Sequence, residues 1–440
     1  MLPRPHPDRT PSAPAGRRLA ALVSAAALVM LGAAAPAAAS TGDRAGADGA
    51  VPTRIIPPVE TAATSQQCTF PAEPIQGTPW TIQRLLLQQM WATTRGEGVT
   101  VAVIDTGVDA SHPQLAGAVE RGRDLIENKD DGRFDDVGHG TKVAGIIAAR
   151  ESDDTGFVGI APGATILPIR QNDGTGQGEG EDGKDHGTAE SLARAIRYAV
   201  EQGADVINIS QDTADGTNPP VLAEAVADAV AEDVVVVASA GNNGADGQAR
   251  TTYPAAYPGV IAVGSSDRNN ERSVFSQAGE FVDVVAPGED VVSTVPRGGH
   301  CVDVGTSFSA PYVSGVAALL RAKYPDWSAE EIAAWMAQTA QRSDRDHNQF
   351  VGWGVVDPVK ALTGNAEPIS EPVPDVLPSG AADIVPARMV LGETPEDRMR
   401  RNAVYTVAAG AMLVIVISGT AVVLRDRRKA GAAPPPPAGV

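Results

Sequence analysis

The sequence predicts an α/β fold, in which a parallel central sheet carries helices on both faces, followed by one transmembrane helix near the C-terminus. Short, predominantly apolar runs alternate with helical stretches, which is typical of strands buried on both faces of a parallel sheet. These runs read VTVAVID, ATILPIR, ADVINIS, DVVVVASAG and VIAVGSS. A later apolar segment, 403–424, is long enough to cross a bilayer, which takes about 20 residues.

The helices of the α/β body are indicated by the segments between these runs. Two of them read GTAESLARAIRYAVEQG and VLAEAVADAVAED. A third, SAEEIAAWMAQTA, starts at Ser328 and has Glu331 three residues later, which predicts a capping box at its first turn.

The two ends of the chain predict export and membrane anchoring. Arg17 and Arg18 precede an apolar run that ends in Ala37 and Ala39, an A-x-A pattern, so 1–39 is interpreted as a signal peptide rather than an uncleaved anchor. The predicted order is then an N-terminal extension (40–90), the α/β body (91–364), a Pro-rich linker (365–402), the membrane helix (403–424) and a cytoplasmic tail (425–440). Because the signal peptide directs the body across, we expect a single-pass protein of the cytoplasmic membrane with its body outside.

The composition permits a large core and argues against nucleic acid as a partner. Hydrophobic residues make up 43% of the chain, and the formal net charge is -19. A phosphate backbone binds basic surfaces, so this charge excludes the usual electrostatic basis of nucleic-acid binding.

The cysteine count points to one disulfide and away from a metal site. Cys68 and Cys301 are the only cysteines, and in an exported protein they are expected to pair, although two free thiols are the alternative. No Cys/His spacing typical of a metal site is present. A Gly-rich acidic stretch, 172–185, is interpreted as a solvated loop; calcium could bind there, but the EF-hand spacing is missing, so no cofactor is predicted.

Four short motifs supply the residue types that serine-based acyl transfer requires: a nucleophile, a base, a carboxylate that orients the base, and donors to an oxyanion. Asp105 ends the strand VTVAVID, His139 lies between two glycines before an apolar helix, and Asn242 follows the strand DVVVVASAG. In GTSFSAP, Ser307 stands at the head of a helix, where its own N–H is unpaired. Taken singly, each has a structural explanation: an Asx-turn, a helix cap or a loop turn.

Taken together, the motifs VIDTGV, GHGTKVAG, ASAGNNG and GTSFSAP resemble those of the subtilisin-like serine proteases, over roughly residues 90 to 362. The chain order Asp, His, Ser is also the subtilisin order. The resemblance implies that Asp105 orients His139, the general acid and base, and that Ser307 is the nucleophile. It further implies an oxyanion hole formed by Asn242 and the backbone N–H of Ser307. Ser309 is left with a packing or capping role.

The segment expected to bind substrate departs from the family pattern. Where relatives commonly have Ser-Leu-Gly-Gly, this chain has Ser210, Gln211 and Asp212, which together with Gly241 are the predicted substrate-binding residues. Backbone pairing with a substrate survives such changes. Asp212 adds negative charge near the specificity pocket, which would favour a basic or small substrate side chain.

A closer resemblance is to the mycosins, the membrane-anchored subtilisin-like proteases of type VII secretion systems. It rests on PWTIQRLLLQQMW, DASHPQLAG, ILPIR, the cysteine of the extension and the C-terminal anchor. It implies a protease that processes secreted proteins, associates with the secretion membrane complex, and carries an extension wrapped around its catalytic domain. The alternatives left open are a broadly degradative membrane-tethered subtilisin and a mainly structural subunit of the machinery.

Overall fold

The computed structural model describes residues 68–174, 187–213, 216–364, 366–376 and 395–430. Several predicted segments lie outside this part of the chain. They are the signal peptide, the extension up to residue 67, most of the acidic loop, residues 377–394 of the linker and the last ten residues. The helices are α1 (Trp80–Gln83), α2 (Leu87–Met90), α3 (His139–Ala148), α4 (Ala189–Glu201), α5 (Pro220–Ala231), α6 (Thr306–Lys323), α7 (Ala329–Thr339), α8 (Pro358–Thr363) and α9 (Pro395–Ala430).

The central feature is a seven-stranded parallel sheet. Its strands are β1 (Thr100–Asp105), β2 (Arg123–Asp124), β3 (Thr165–Arg170), β4 (Val206–Ile209), β5 (Val235–Ser239), β6 (Val260–Ser266) and β7 (Val284–Pro287), in the order β2-β3-β1-β4-β5-β6-β7. Every neighbouring pair is parallel. The five strands predicted from apolar runs are all present and form the middle of this sheet.

Helices cover both faces of the sheet, as predicted. Successive strand residues point to opposite faces, so Val101 and Val103 of β1 pack in one core cluster together with residues of α3 and α6. Ala102 and Ile104 pack in a second cluster with residues of α4 and α5. Burial on both faces explains why β1 is apolar from Val101 to Ile104.

Two sets of strands were not predicted. One is the pair of short strands at the sheet edges, β2 and β7. The other is the antiparallel pair β8 (Val291–Thr294) and β9 (His300–Asp303), which carries Cys301. The predicted capping box is confirmed: Ser328 Oγ accepts from the Glu331 N–H at 3.2 Å, and the Glu331 carboxylate accepts from the Ser328 N–H at 2.8 Å.

The described part of the N-terminal extension lies along the α/β body and is joined to it covalently. Cys68 and Cys301 form the predicted disulfide, with 6.0 Å between their Cα atoms. Further along the segment, the Ile75 N–H donates to His300 Nδ1 at 3.2 Å, and the Trp80 indole N–H donates to the Glu289 carbonyl at 3.1 Å. The extension is therefore held at several points between its cysteine and α1.

The last helix, α9, contains the whole segment predicted to cross the membrane and is longer at both ends. It begins within the predicted linker and continues into the predicted tail. Among the described residues it is the one helix long and apolar enough to span a bilayer, and its apolar side chains are exposed. Exposed apolar side chains along a helix of this length match a lipid environment.

The predicted functional residues lie at the carboxyl edge of the sheet. Asp105 is the last residue of β1, Ser210 follows β4, and Asn242 follows β5. Helices α3 and α6 begin at this edge with His139 and Thr306. Ligand sites of parallel α/β sheets form at such an edge, so the topology brings together residues that are far apart in sequence.

Candidate active site

The carboxylate of Asp105 holds the ring of His139. Nδ1 of His139 lies 2.8 Å and 2.9 Å from the two carboxylate oxygens. An ionised carboxylate only accepts hydrogen bonds, so Nδ1 carries the proton and Nε2 has the free lone pair. The Thr106 N–H donates to Asp105 Oδ1 at 2.7 Å and fixes the carboxylate in turn. Asp105 is 2% exposed and the His139 side chain 31%, so the imidazole remains accessible while its carboxylate is not.

A buried carboxylate that was not predicted from the sequence, Asp135, anchors the start of α3. It accepts hydrogen bonds from the Gly138 N–H at 2.7 Å, the Thr141 N–H at 2.9 Å and the Thr141 hydroxyl at 2.6 Å. It also accepts from the Thr106 hydroxyl at 2.9 Å. Asp135 therefore links the residue after Asp105 to the first turn of the helix that presents His139. Its only sequence signal is an acidic residue four positions before that histidine.

The glycine before His139 is required by its conformation and its neighbour. Gly138 has φ +90°, a region that favours glycine, and a Cβ placed there would lie 2.3 Å from the Phe70 ring. Phe70 belongs to the N-terminal extension, two residues after the disulfide. The extension therefore packs directly behind the turn that starts α3.

Ser307 is the second residue of α6, and its surroundings place it at the same edge. Its carbonyl accepts from the Ser210 hydroxyl at 2.9 Å. The ring of the next residue, Phe308, lies 5.3 Å from the His139 ring, measured between centroids. Because Ser307 lies in the first turn, its N–H has no acceptor within the helix. The helix dipole also favours negative charge at this end.

Asn242 faces the same space as Ser307. A methyl group placed on Gly305 would lie 3.1 Å from Ser307 Oγ and 3.7 Å from Asn242 Nδ2. The amide oxygen of Asn242 accepts from the Thr306 N–H at 2.9 Å and from the Thr306 hydroxyl at 3.0 Å. These two donors fix the amide so that its NH₂ group, and not its oxygen, is presented toward Ser307.

Two opposing effects act on the pKa of His139. Desolvation lowers it, but the negative charge of Asp105 and the hydrogen bond to it outweigh this, so the pKa is raised above its ordinary value. The Asp105 carboxylate thus makes the imidazole a stronger base.

The predicted substrate-binding residues occupy different positions around this centre. Gln211 is turned toward the end of β3, where its side-chain oxygen accepts from the Asn172 amide at 2.8 Å. Asp212 instead lies against Gly241: a Cβ placed on Gly241 would be 2.7 Å from Asp212 Oδ2. Ser210 contacts Ser307, as above. Burial raises the pKa of the Asp212 carboxyl.

The second serine of the motif, Ser309, is buried away from this space. It is fully buried, and its hydroxyl makes no hydrogen bond to any described residue. A Cβ placed on Gly288 would lie 2.3 Å from Ser309 Oγ, so the side chain fills a tight contact between α6 and the end of β7. Its position agrees with the expected packing role.

No group of three or more His, Cys, Asp or Glu side chains among the described residues is arranged to hold a metal ion. Most of the acidic loop for which calcium was considered lies outside this part of the chain.

An amide donor, an imidazole held by a carboxylate and a serine hydroxyl lie at one sheet edge, and these are the groups that an acyl-transfer site requires. Comparison with known proteins agrees with this chemistry. Residues 96–354 match the model of the subtilase family of peptidases. Thermitase of Thermoactinomyces vulgaris is 40% identical over 260 residues, which cover 59% of this chain and 87% of thermitase.

The mycosins are similar over more of the chain. Mycosin-4 of Mycobacterium tuberculosis is 36% identical over 364 residues, which cover 74% of this chain and 77% of mycosin-4. The MycP3 protease of the type VII (ESX-3) secretion system superposes with a TM-score of 0.58 at 38% identity, covering 66% of this chain and 91% of that structure. The structure of MycP1 from Mycobacterium smegmatis superposes with a TM-score of 0.59 at 31% sequence identity, covering 70% of this chain and 91% of that structure. The chain therefore belongs to the subtilase family of serine proteases and is a homologue of the mycosins.

Proposed function

We propose that this protein is a membrane-anchored serine endopeptidase that acts outside the cytoplasmic membrane, cleaves a small set of secreted proteins and associates with the membrane complex of a type VII secretion system. The observation that carries the enzymatic part is the pair of hydrogen bonds between His139 Nδ1 and Asp105, on the same sheet edge as Ser307 and Asn242.

The proposed reaction begins with attack of Ser307 Oγ on the carbonyl carbon of a peptide bond. His139 Nε2 takes the hydroxyl proton and returns it to the leaving amine, so the C–N bond breaks and an acyl-enzyme remains. Water then attacks the ester by the same route and releases the new carboxylate. Asp105 stays ionised throughout and stabilises the imidazolium.

The negative charge of the tetrahedral intermediate falls on the former carbonyl oxygen. Asn242 Nδ2 and the Ser307 N–H are the proposed donors to it. Both are held before substrate arrives, the first by Thr306 and the second by the helix itself, so little reorganisation accompanies the reaction.

Membrane anchoring rests on α9, whose exposed apolar surface matches a bilayer span. Association with a secretion complex rests on similarity: the MycP3 structure is described as a protease from a type VII (ESX-3) secretion system, and a MycP1 structure as an essential component of the ESX-1 system. The body outside and the tail inside follow from the predicted signal peptide.

A comparison of the proteins secreted by the native host tests whether the protease cleaves only a small set of them. We expect strains carrying wild-type protein and Ser307→Ala to differ in the processing of a few secreted chains, with Ser309→Ala as the matched control. Widespread changes would instead indicate a degradative protease. No change in processing, with secretion lost only on deletion of the gene, would indicate a mainly structural subunit. Purification of the membrane-bound chain under mild conditions tests the association, and recovery without secretion-system proteins would contradict it.

A further inference from the structure

A cavity of about 520 Å³ lies at the amino edge of the sheet, opposite the edge that carries the candidate active site. Val260 and Val284, the first residues of β6 and β7, line it, and α7 contributes Ala333, Ala334 and Ala337. None of the residues placed in the candidate active site belongs to its wall. Small-molecule sites are typically concave, mostly apolar and about 300–1,000 Å³ in volume, with a few polar groups that fix the ligand. The cavity therefore has the size and lining of a separate binding site.

The charged side chains of this wall are carboxylates. Among the described residues that line the cavity, Asp233, Asp283 and Glu330 are acidic and none is basic. Asp233 is compensated from outside the wall, because its carboxylate pairs with the Arg321 guanidinium at 3.1 Å. Glu330 is exposed and makes no ion pair with any described residue. The wall is therefore negatively charged, which favours a cationic ligand over an anionic one.

Asp283 is the carboxylate with a defined position in this wall. Its backbone N–H donates to the Ala262 carbonyl at 3.0 Å, and its carbonyl accepts from the Trp353 N–H at 2.8 Å. Its side-chain Oδ2 accepts from the Ala262 N–H at 2.8 Å, and no described residue donates to Oδ1. Burial raises the pKa of this carboxyl to about 6, although the charge of a protonated His347 lowers it. At neutral pH the group is thus ionised, with one oxygen open to a donor.

The linker that follows the α/β body forms one side of the cavity. Ser370 and Pro372 of the linker belong to the wall. Next to them, the Val373 N–H donates to the Gln338 amide oxygen at 2.6 Å, and the Arg342 guanidinium donates to the Val373 carbonyl at 2.8 Å. A ligand in the cavity would therefore contact the body and the linker together, so its binding should stabilise the docked linker.

We propose that this cavity binds a small organic amine, with the protonated amino group at Asp283 and an apolar chain or ring against β6 and α7. An ammonium group forms a charge-assisted hydrogen bond with a carboxylate, and the apolar part gains from the removal of its surface from water. Ammonium fits better than guanidinium, because guanidinium binds carboxylates through both oxygens and Oδ2 is already held by Ala262. Binding of the amine also fastens the linker to the body.

A set of probes with one shape and different charges tests this proposal on the purified full chain in detergent, with empty micelles as the blank. Phenethylamine, 2-phenylethanol and phenylacetate differ mainly in the charge of the end group. Titration calorimetry is expected to show binding of the amine at millimolar concentration or below, binding of the alcohol about 10- to 100-fold weaker, and no binding of the carboxylate. Hydrogen exchange of the described linker residues should slow with the amine and not with the carboxylate.

Two variants of the wall and a matched control locate the binding. Asp283→Asn should weaken the amine about 10- to 100-fold and leave the alcohol unchanged. Ala333→Phe, which fills the cavity without changing its charge, should abolish binding of both. Asp228→Asn, which neutralises an exposed residue of α5 outside the wall, should bind the amine as the wild type does.

Three results would overturn the proposal. They are failure of the wild type to bind the amine, equal binding of the amine and the alcohol, and unchanged binding of the amine in folded Asp283→Asn or Ala333→Phe. None of these results bears on Ser307, because the cavity lies at the other edge of the sheet, so the protease assignment is tested separately.

Discussion

The side-chain oxygen of Asn242 is held by two donors of a single residue, the N–H and the hydroxyl of Thr306, at 2.9 and 3.0 Å. Thr306 immediately precedes the proposed nucleophile. The amide that would stabilise an oxyanion is thus aligned by the same helix start that presents Ser307. Orientation of this amide is a property of the folded protein before any substrate binds.

Replacing Asn242 by Ala removes one proposed oxyanion donor and leaves Asp105, His139 and Ser307 in place. We expect kcat to fall about 10²- to 10³-fold, the range known for an oxyanion-hole asparagine of a subtilisin, with little change in KM. Thr306→Val removes only the hydroxyl that holds the amide, so a smaller loss of kcat is expected. Steady-state kinetics on one peptide substrate checks both. A kcat of Asn242→Ala within about threefold of wild type would exclude Asn242 from the oxyanion hole.

The pH dependence of kcat/KM should report the raised pKa of His139. The general base acts only when neutral, so activity is low while His139 is protonated and increases as the pH rises through its pKa. Desolvation lowers this pKa, but the charge of Asp105 and the hydrogen bond to it outweigh that effect, so the ascending limb should lie above the ordinary pKa of histidine.

Asp105→Asn removes the largest influence that opposes desolvation, so the pKa of His139 should fall and the ascending limb should move to lower pH. The maximal rate should fall by about 10⁴-fold, because an asparagine can hold the wrong tautomer of the imidazole. Measurement of kcat/KM between pH 4 and pH 9 on both proteins compares the limbs. A limb at the same pH in the two proteins would show that Asp105 does not act on His139.

Much of this arrangement was predictable from the sequence, for reasons that are local. The strand that ends at Asp105 is apolar from Val101 to Ile104 because both faces are buried, and Ser307 lies in the recognisable first turn of α6. Asp135 was not predictable in this way. Its role depends on donors from Thr106 and Thr141, which meet it only after the sheet edge and α3 are assembled.

The position of Asp212 and the short strands also depend on contacts that form only in the folded chain. Asp212 was predicted to add charge near the pocket, but its contact with Gly241 exists only because the chain after β4 lies beside the chain after β5. β8 and β9 are four residues each and pair with one another outside the main sheet, so neither shows the long apolar run of a buried strand.

Loss of the Cys68–Cys301 disulfide should destabilise the protein. The bond joins residues 233 positions apart, and constraining so long a loop restricts the unfolded chain. A typical disulfide contributes about 2–4 kcal/mol, so the double variant Cys68→Ser, Cys301→Ser should have a lower Tm than wild type. Reductant should lower the Tm of the wild type and leave that of the double variant unchanged. Equal Tm values for oxidised wild type and the double variant would contradict a stabilising role.

Active-site labelling of the full chain tests the central claim most directly. A fluorophosphonate should bond covalently to one serine, and mass spectrometry of the digested protein should locate it at Ser307. Labelling should be lost in Ser307→Ala, retained in Ser309→Ala and strongly reduced in His139→Ala, because the base that activates the hydroxyl is missing. Labelling that persists in Ser307→Ala and disappears in Ser309→Ala, or a wild-type protein that reacts at neither serine, would contradict the assignment of Ser307 as the nucleophile.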